Sequence, residues 1–155
     1  MREIEGDIWN YFGKGVIAIT TNGHVTRNGT GVVGNGVARQ ALERFPDLQL
    51  RLGEILRTSG NHVASLGDNL VSFPVEDSPW ALPDLRLIRR SAEELRRLAD
   101  HEGWQLIIVP RPGCGGGGLS WREVRPLLTD LFDDRFLVIT EKAITTTVET
   151  DSANL

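Results

Sequence analysis

Apolar positions along this chain follow two rhythms: short β-branched runs, and longer stretches that repeat every three or four residues. Residues 15–21, GVIAITT, read as a central strand. Residues 22–34 are polar and punctuated by glycine, a loop long enough to expect a functional role. Val37, Ala41, Leu42 and Phe45 then recur at helical spacing up to Pro46, and Leu48, Leu52, Ile55 and Leu56 continue a second helix to Gly60. Residues 63–66 and 70–73 predict a strand pair across a Gly67-Asp68-Asn69 turn. A second long loop, 74–83, carries Trp80 between prolines.

Asp84 is placed to cap a helix whose apolar stripe is Leu85, Ile88, Ala92, Leu95 and Ala99, with Gly103 as its stop. Residues 105–109, QLIIV, read as a buried strand. Beyond a glycine loop, Ser120 and Glu123 stand in capping-box spacing and predict a helix from Ser120 to about Leu131. A last strand covers 136–140, and near the start, residues 4–9 begin with an exposed-buried alternation and contain Gly6-Asp7-Ile8. Strands alternating with helices imply an α/β fold of three layers, a mixed and mostly parallel sheet between helices. The expected organisation is one domain over 1–142 and a polar C-terminal tail over 143–155. Such sheets bind ligands at the carboxyl ends of their strands, where loops 22–34, 74–83 and 110–119 would converge on one cleft.

Composition narrows the class. At 155 residues with 40% hydrophobic and 25% charged content, the chain suits a single globular domain. The absence of a long apolar run or a basic-apolar start predicts neither a membrane partner nor a signal peptide, and a single cysteine, Cys114, fits a cytoplasmic protein. A net charge of −4 argues against broad attraction to nucleic acid. Only Lys14 and Lys142 are lysines among the 17 basic residues, so few amines could act as nucleophiles.

The chemistry-bearing stretches are two glycine loops. PRPGCGGGGLSW, residues 110–121, holds five glycines between 113 and 118 and lies between a buried strand and a capped helix start. That arrangement aims backbone N–H groups at one point and suits an anion, above all a phosphate. The earlier loop holds Gly29, Gly31 and Gly34, which formally satisfy G-x-G-x-x-G. They begin eight residues after the strand ends, too far for a tight dinucleotide-binding turn. No G-x-x-x-x-G-K-[ST] sequence occurs, which argues against a P-loop enzyme. His24, His62 and His101 lack metal-ligand spacing, and no metal or cofactor is expected. Cys114 reads as a small residue holding its loop, and Arg111 suits either a phosphate or a surface carboxylate.

Taken in order, Gly6-Asp7-Ile8, Asn22, GVVGNGVA at 31–38, Phe73-Pro74 with Trp80, and PRPGCGGGGLSW resemble the macrodomain family. The resemblance covers about residues 3–140. It is nearest to the branch with the terminal ADP-ribose protein glycohydrolase and the antitoxin macrodomains paired with DNA-ADP-ribosylating toxins. It implies an ADP-ribose ligand. Asp7 matches the acid that receives the adenine amino group, with Ile8 beside the ring. Gly34, Gly36 and Val37 match the first phosphate loop, with Thr30 on its approach; Gly113, Gly115, Gly116, Gly117, Gly118 and Leu119 match the second. Asn22 and Asn28 occupy places resembling the asparagines near the distal ribose.

The chain departs from the branch in three ways. Asn35 replaces the lysine between the glycines of the first loop, a glycine at about Gly117 replaces an aspartate found in some members, and Glu76 stands at the lysine-like place of FP-x-K. Hydrolysis by a lysine attacking the anomeric carbon is therefore not expected. The resemblance implies instead an enzyme that releases ADP-ribose from acidic side chains of proteins or from nucleobases. Asn22, Asn28 or Asn35 would orient a water, and a diphosphate oxygen would assist as base. A non-catalytic ADP-ribose reader and an ADP-ribose phosphate phosphatase are the alternatives.

Overall fold

A computed structural model describes residues 1–141; Lys142 and the tail expected over 143–155 lie outside the described residues. The elements are β1 (Arg2–Glu5), a 3-10 turn (Ile8–Tyr11), β2 (Val16–Asn22), α1 (Val37–Arg44), α2 (Leu48–Ser59), β3 (Ser65–Gly67) and β4 (Leu70–Glu76). Then come α3 (Leu85–Glu102), β5 (Ile107–Pro110), the one-turn α4 (Trp121–Val124), a 3-10 turn (Arg125–Leu127) and β6 (Phe136–Thr140). The six strands lie in the order β1-β6-β5-β2-β4-β3, and only the β3–β4 pair is antiparallel.

The period-2 alternation of the central strands decides the layers. Val16, Ala18, Val71, Phe73, Ile107, Val109, Phe136 and Val138 face one core with Ile88, Ala92 and Leu95 of α3 and Val124 of α4. Ile17, Ile19, Leu70, Ile108, Leu137 and Ile139 face the other, with Ala38 and Ala41 of α1 and Leu48 and Leu52 of α2. The result is the three-layer α/β arrangement that the pattern predicts.

Three elements differ from expectation. The helix foreseen from Ser120 to about Leu131 closes its capping box but stops at Val124. Pro126 follows within a 3-10 turn, where it can neither donate an N–H nor tolerate a continuing α-helix. Conversely, β4 runs through Pro74 to Glu76, so the second cleft loop begins at 77. Residues of β3 pair with β4 only as far as Val71, so no partner strand needs the N–H that Pro74 lacks. The Pro74 carbonyl instead accepts from Ser91 Oγ of α3 at 2.6 Å. At the N-terminus, β1 is an edge strand with mostly exposed side chains, so its apolar pattern is faint. The β3–β4 turn follows from its residues: Asp68 and Asn69 adopt φ of 52° and 57°, the left-handed pair of a tight hairpin.

Candidate ligand-binding cleft

The parallel strands end on one side of the sheet, and their ends enclose a cleft of about 670 Å³, a volume suited to a small-molecule site. Gly6 and Asp7 after β1, Thr140 of β6, Pro110 of β5, Thr21 and Asn22 of β2, and Glu76 of β4 all line it. From β1 to β4 there are four interstrand steps, which at about 4.8 Å each give a trough of about 19 Å.

The first glycine loop is held rigidly from behind. Gly31 N–H donates to the Gln49 carbonyl at 2.8 Å, Val33 N–H to Gln49 Oε1 at 3.4 Å, and Asn22 Nδ2 to the Val32 carbonyl at 2.9 Å. Helix α2 presses so close that a Cβ on Gly53 would lie 2.0 Å from the Gly29 carbonyl oxygen. Gly34, Asn35, Gly36 and Val37 then face the cleft. Gly36, at φ +72°, starts α1 with no side-chain cap, so the first-turn N–H groups remain unsatisfied at the cleft wall.

The opposite loop is a closed turn, with Leu119 N–H donating to the Gly113 carbonyl at 3.0 Å and Gly118 N–H to the Gly115 carbonyl at 3.4 Å. Its glycines divide in purpose. A Cβ on Gly117 would sit 2.7 Å from both the Gly113 carbonyl oxygen and Pro83, and one on Gly113 would meet Leu119 at 2.9 Å. Those two absent side chains serve packing. Gly115 and Gly116 face open space and line the cleft; among the described residues their N–H groups have no hydrogen-bond partner. Gly118 turns the chain at φ +84° and lies outside the lining.

At the β1 end, Asp7 lines the cleft and caps the 3-10 turn by accepting from Trp9 N–H at 2.9 Å through Oδ1, which leaves Oδ2 without a partner among the described residues. It is exposed, not the buried carboxylate that adenine binding would suggest. Ile8 beside it is buried. Trp9 Nε1 donates to Gln40 Oε1 at 2.8 Å and so fixes another lining residue. Arg111 lies over the Trp121 ring at 4.8 Å, with a buried Nε that has no partner among the described residues. Burial pushes the Cys114 thiol up, partly opposed by the Arg111 charge, which disfavours a thiolate nucleophile.

No protein-family model and no curated protein matches the chain. Among solved structures, the macrodomain of Thermus aquaticus DarG is 19% identical, with a TM-score of 0.70 over 91% of this chain and 97% of that one. The macrodomain of Mycobacterium tuberculosis DarG is 21% identical, with a TM-score of 0.69 over 92% and 99%. Thermosipho africanus DarTG in complex with ADP-ribose is 21% identical, with a TM-score of 0.70 over 95% of this chain and 44% of that one. This chain has the macrodomain fold.

Within this fold the three candidate asparagines have separate fates. Asn22 is buried, its Nδ2 bound to Val32 O and its Oδ1 accepting from His24 N–H at 3.0 Å; it lines the floor while holding the first loop. Asn28 is exposed at the tip of a small hairpin closed by the Val25–Gly31 bridge, outside the cleft lining. Thr30 belongs to the same hairpin, its hydroxyl paired with Thr26 Oγ1 at 2.7 Å, and it too stands outside the lining. Asn35 is exposed, lines the cleft and has no side-chain partner among the described residues. Trp80 projects into solvent, with His24 edge-on at 4.7 Å. Lys14 lies at the opposite end of the sheet, beside Gly15 and Trp104.

Sequence reasoning did not select Thr21, Gln40 or Glu76. Thr21 Oγ1 is buried on the floor with no partner among the described residues. Glu76 was visible only as a departure from a pattern, because Pro74 concealed the strand that carries it. No cluster of three His, Cys, Asp or Glu side chains is placed to hold a metal among the described residues. No described helix is long and apolar enough to cross a membrane.

Proposed function

We propose that this macrodomain binds ADP-ribose along the trough and hydrolyses it from modified macromolecules. The supporting observation is that two glycine loops offer backbone N–H groups to the same trough that Asp7 and the ends of β2 and β4 line. Asp7 Oδ2 accepts from the adenine amino group. N–H groups at 34–37 and 115–116 hold the diphosphate without a cation, as main-chain nests do. The distal ribose then lies over Thr21, Asn22 and Glu76. The Thermosipho africanus DarTG complex with ADP-ribose, alike in fold, supports the choice of ligand.

Asn35 is the asparagine free to orient water at the anomeric carbon, and the bond cleaved joins ADP-ribose to an acidic protein side chain or a nucleobase. Calorimetry tests the binding half of this reading. ADP-ribose should bind with micromolar affinity, about −8 kcal/mol. No heat of binding, or equal affinity for NAD and ADP-ribose that is indifferent to Asp7→Ala, would end it.

A further inference from the structure

Resting on that reading, we propose that Glu76 is the general base of the hydrolysis, in place of a diphosphate oxygen. Glu76 is the last residue of β4 and the register partner of Asn22, across an irregularity between Thr21 and Asn22. It lines the cleft four strands away from β1, whose end carries Asp7. With adenine at Asp7, a trough of about 19 Å places the far ribose, and its anomeric carbon, at this end.

The main chain there is fixed, because Asn61 Nδ2 donates to the Glu76 carbonyl at 3.2 Å. Its carboxylate is not engaged by any hydrogen bond or ion pair among the described residues. The acids of α3 and the following segments differ: Asp100 and Asp130 are tied to Arg135 and Arg89. Burial alone raises the pKa of Glu76, toward the range in which a carboxylate serves as a base near neutral pH. The other ionisable groups of the lining are Asp7, Arg111, Cys114 and Glu141. His24 lies two residues beyond the register partner of Glu76, and Asp77 follows Glu76 itself. Thr21 Oγ1, also without a partner among the described residues, offers a second contact for the water.

For an ester to an acidic side chain the step balances as follows. The water oxygen bonds to the anomeric carbon, and one water proton passes to the Glu76 carboxylate. The bond between that carbon and the ester oxygen breaks, its electron pair leaving as the side-chain carboxylate. Glu76 then returns the proton to solvent.

The test is single-turnover release of ADP-ribose from glutamyl-ADP-ribosylated protein by wild type and Glu76→Gln between pH 5 and 9, with ADP-ribose calorimetry beside it. Glu76→Gln should slow release by about 100-fold or more and leave ADP-ribose affinity within about twofold, because the ligand is held by the loops. The wild-type rate should rise through an apparent pKa above 4.5, and the residual rate of Glu76→Gln should lack that limb. An active wild type with Glu76→Gln equally fast, or with the same pH limb, overturns this assignment and leaves the hydrolase reading standing. A wild type that binds ADP-ribose yet releases none overturns both.

Discussion

At the scale of single residues, the proposed binding mode gives Asp7 two tasks that separate experimentally. One carboxylate oxygen caps the 3-10 turn, and the other remains for the ligand. Asp7→Ala removes both, so ADP-ribose affinity should fall at least tenfold, about 1.4 kcal/mol, with about 1 kcal/mol of stability lost with the cap. Asp7→Asn keeps the cap, so it should preserve the melting temperature and still weaken binding. Glu76 carries a stability signature as well. Its folded pKa is raised by burial, so the ionised form costs stability. The cost is absent where both folded and unfolded chains are protonated and grows as pH rises through the folded value. Glu76→Gln should therefore melt higher than wild type at neutral pH and converge with it below about pH 4; a lower melting temperature at neutral pH would contradict a half-buried, unpaired charge. The place of Asp7 in the cleft lining was legible because Gly6-Asp7-Ile8 is a local signal. Asn28 and Thr30 lie outside the cleft lining on a hairpin closed by the Val25–Gly31 bridge, a contact invisible in the spacing.

At the scale of elements, the second glycine loop shows why composition alone misleads. Five glycines look interchangeable in sequence, yet a Cβ on Gly117 meets backbone at 2.7 Å while one on Gly116 meets nothing within 4 Å. Gly117→Ala should therefore lower stability by about 1–3 kcal/mol, measured by denaturant unfolding. Gly116→Ala should leave unfolding unchanged and weaken ADP-ribose binding; reversed effects would mean that the loop is held differently. The first loop carries the complementary case. Asn35 sits on a segment anchored by Gln49 and Asn22, so Asn35→Ala should slow release by about 10- to 100-fold with little change in affinity. Full activity in that variant would remove Asn35 from the mechanism. Both loops, α3 and the central strands were legible because their periodicity and caps are local. The ends of β4 and α4 were not, since one proline was tolerated beyond a short partner strand and the other ended its helix.

At the scale of the whole molecule, parallel strands gather loops from distant parts of the chain at one edge, and that convergence was readable from loop lengths alone. The polarity of the trough was not. It depends on strand order, which sets Asp7 of the β1 edge and Glu76 of β4 at opposite ends of one trough. The proposed binding mode follows that polarity: adenine at one end, diphosphate between two main-chain loops, and the bond to be cleaved at the other, beside the Glu76 carboxylate. The most direct measurement is incubation of the wild-type protein with glutamyl-ADP-ribosylated protein, followed for free ADP-ribose. The account predicts release of intact ADP-ribose; undiminished modification, alongside micromolar binding of free ADP-ribose, would contradict it and make this macrodomain a reader.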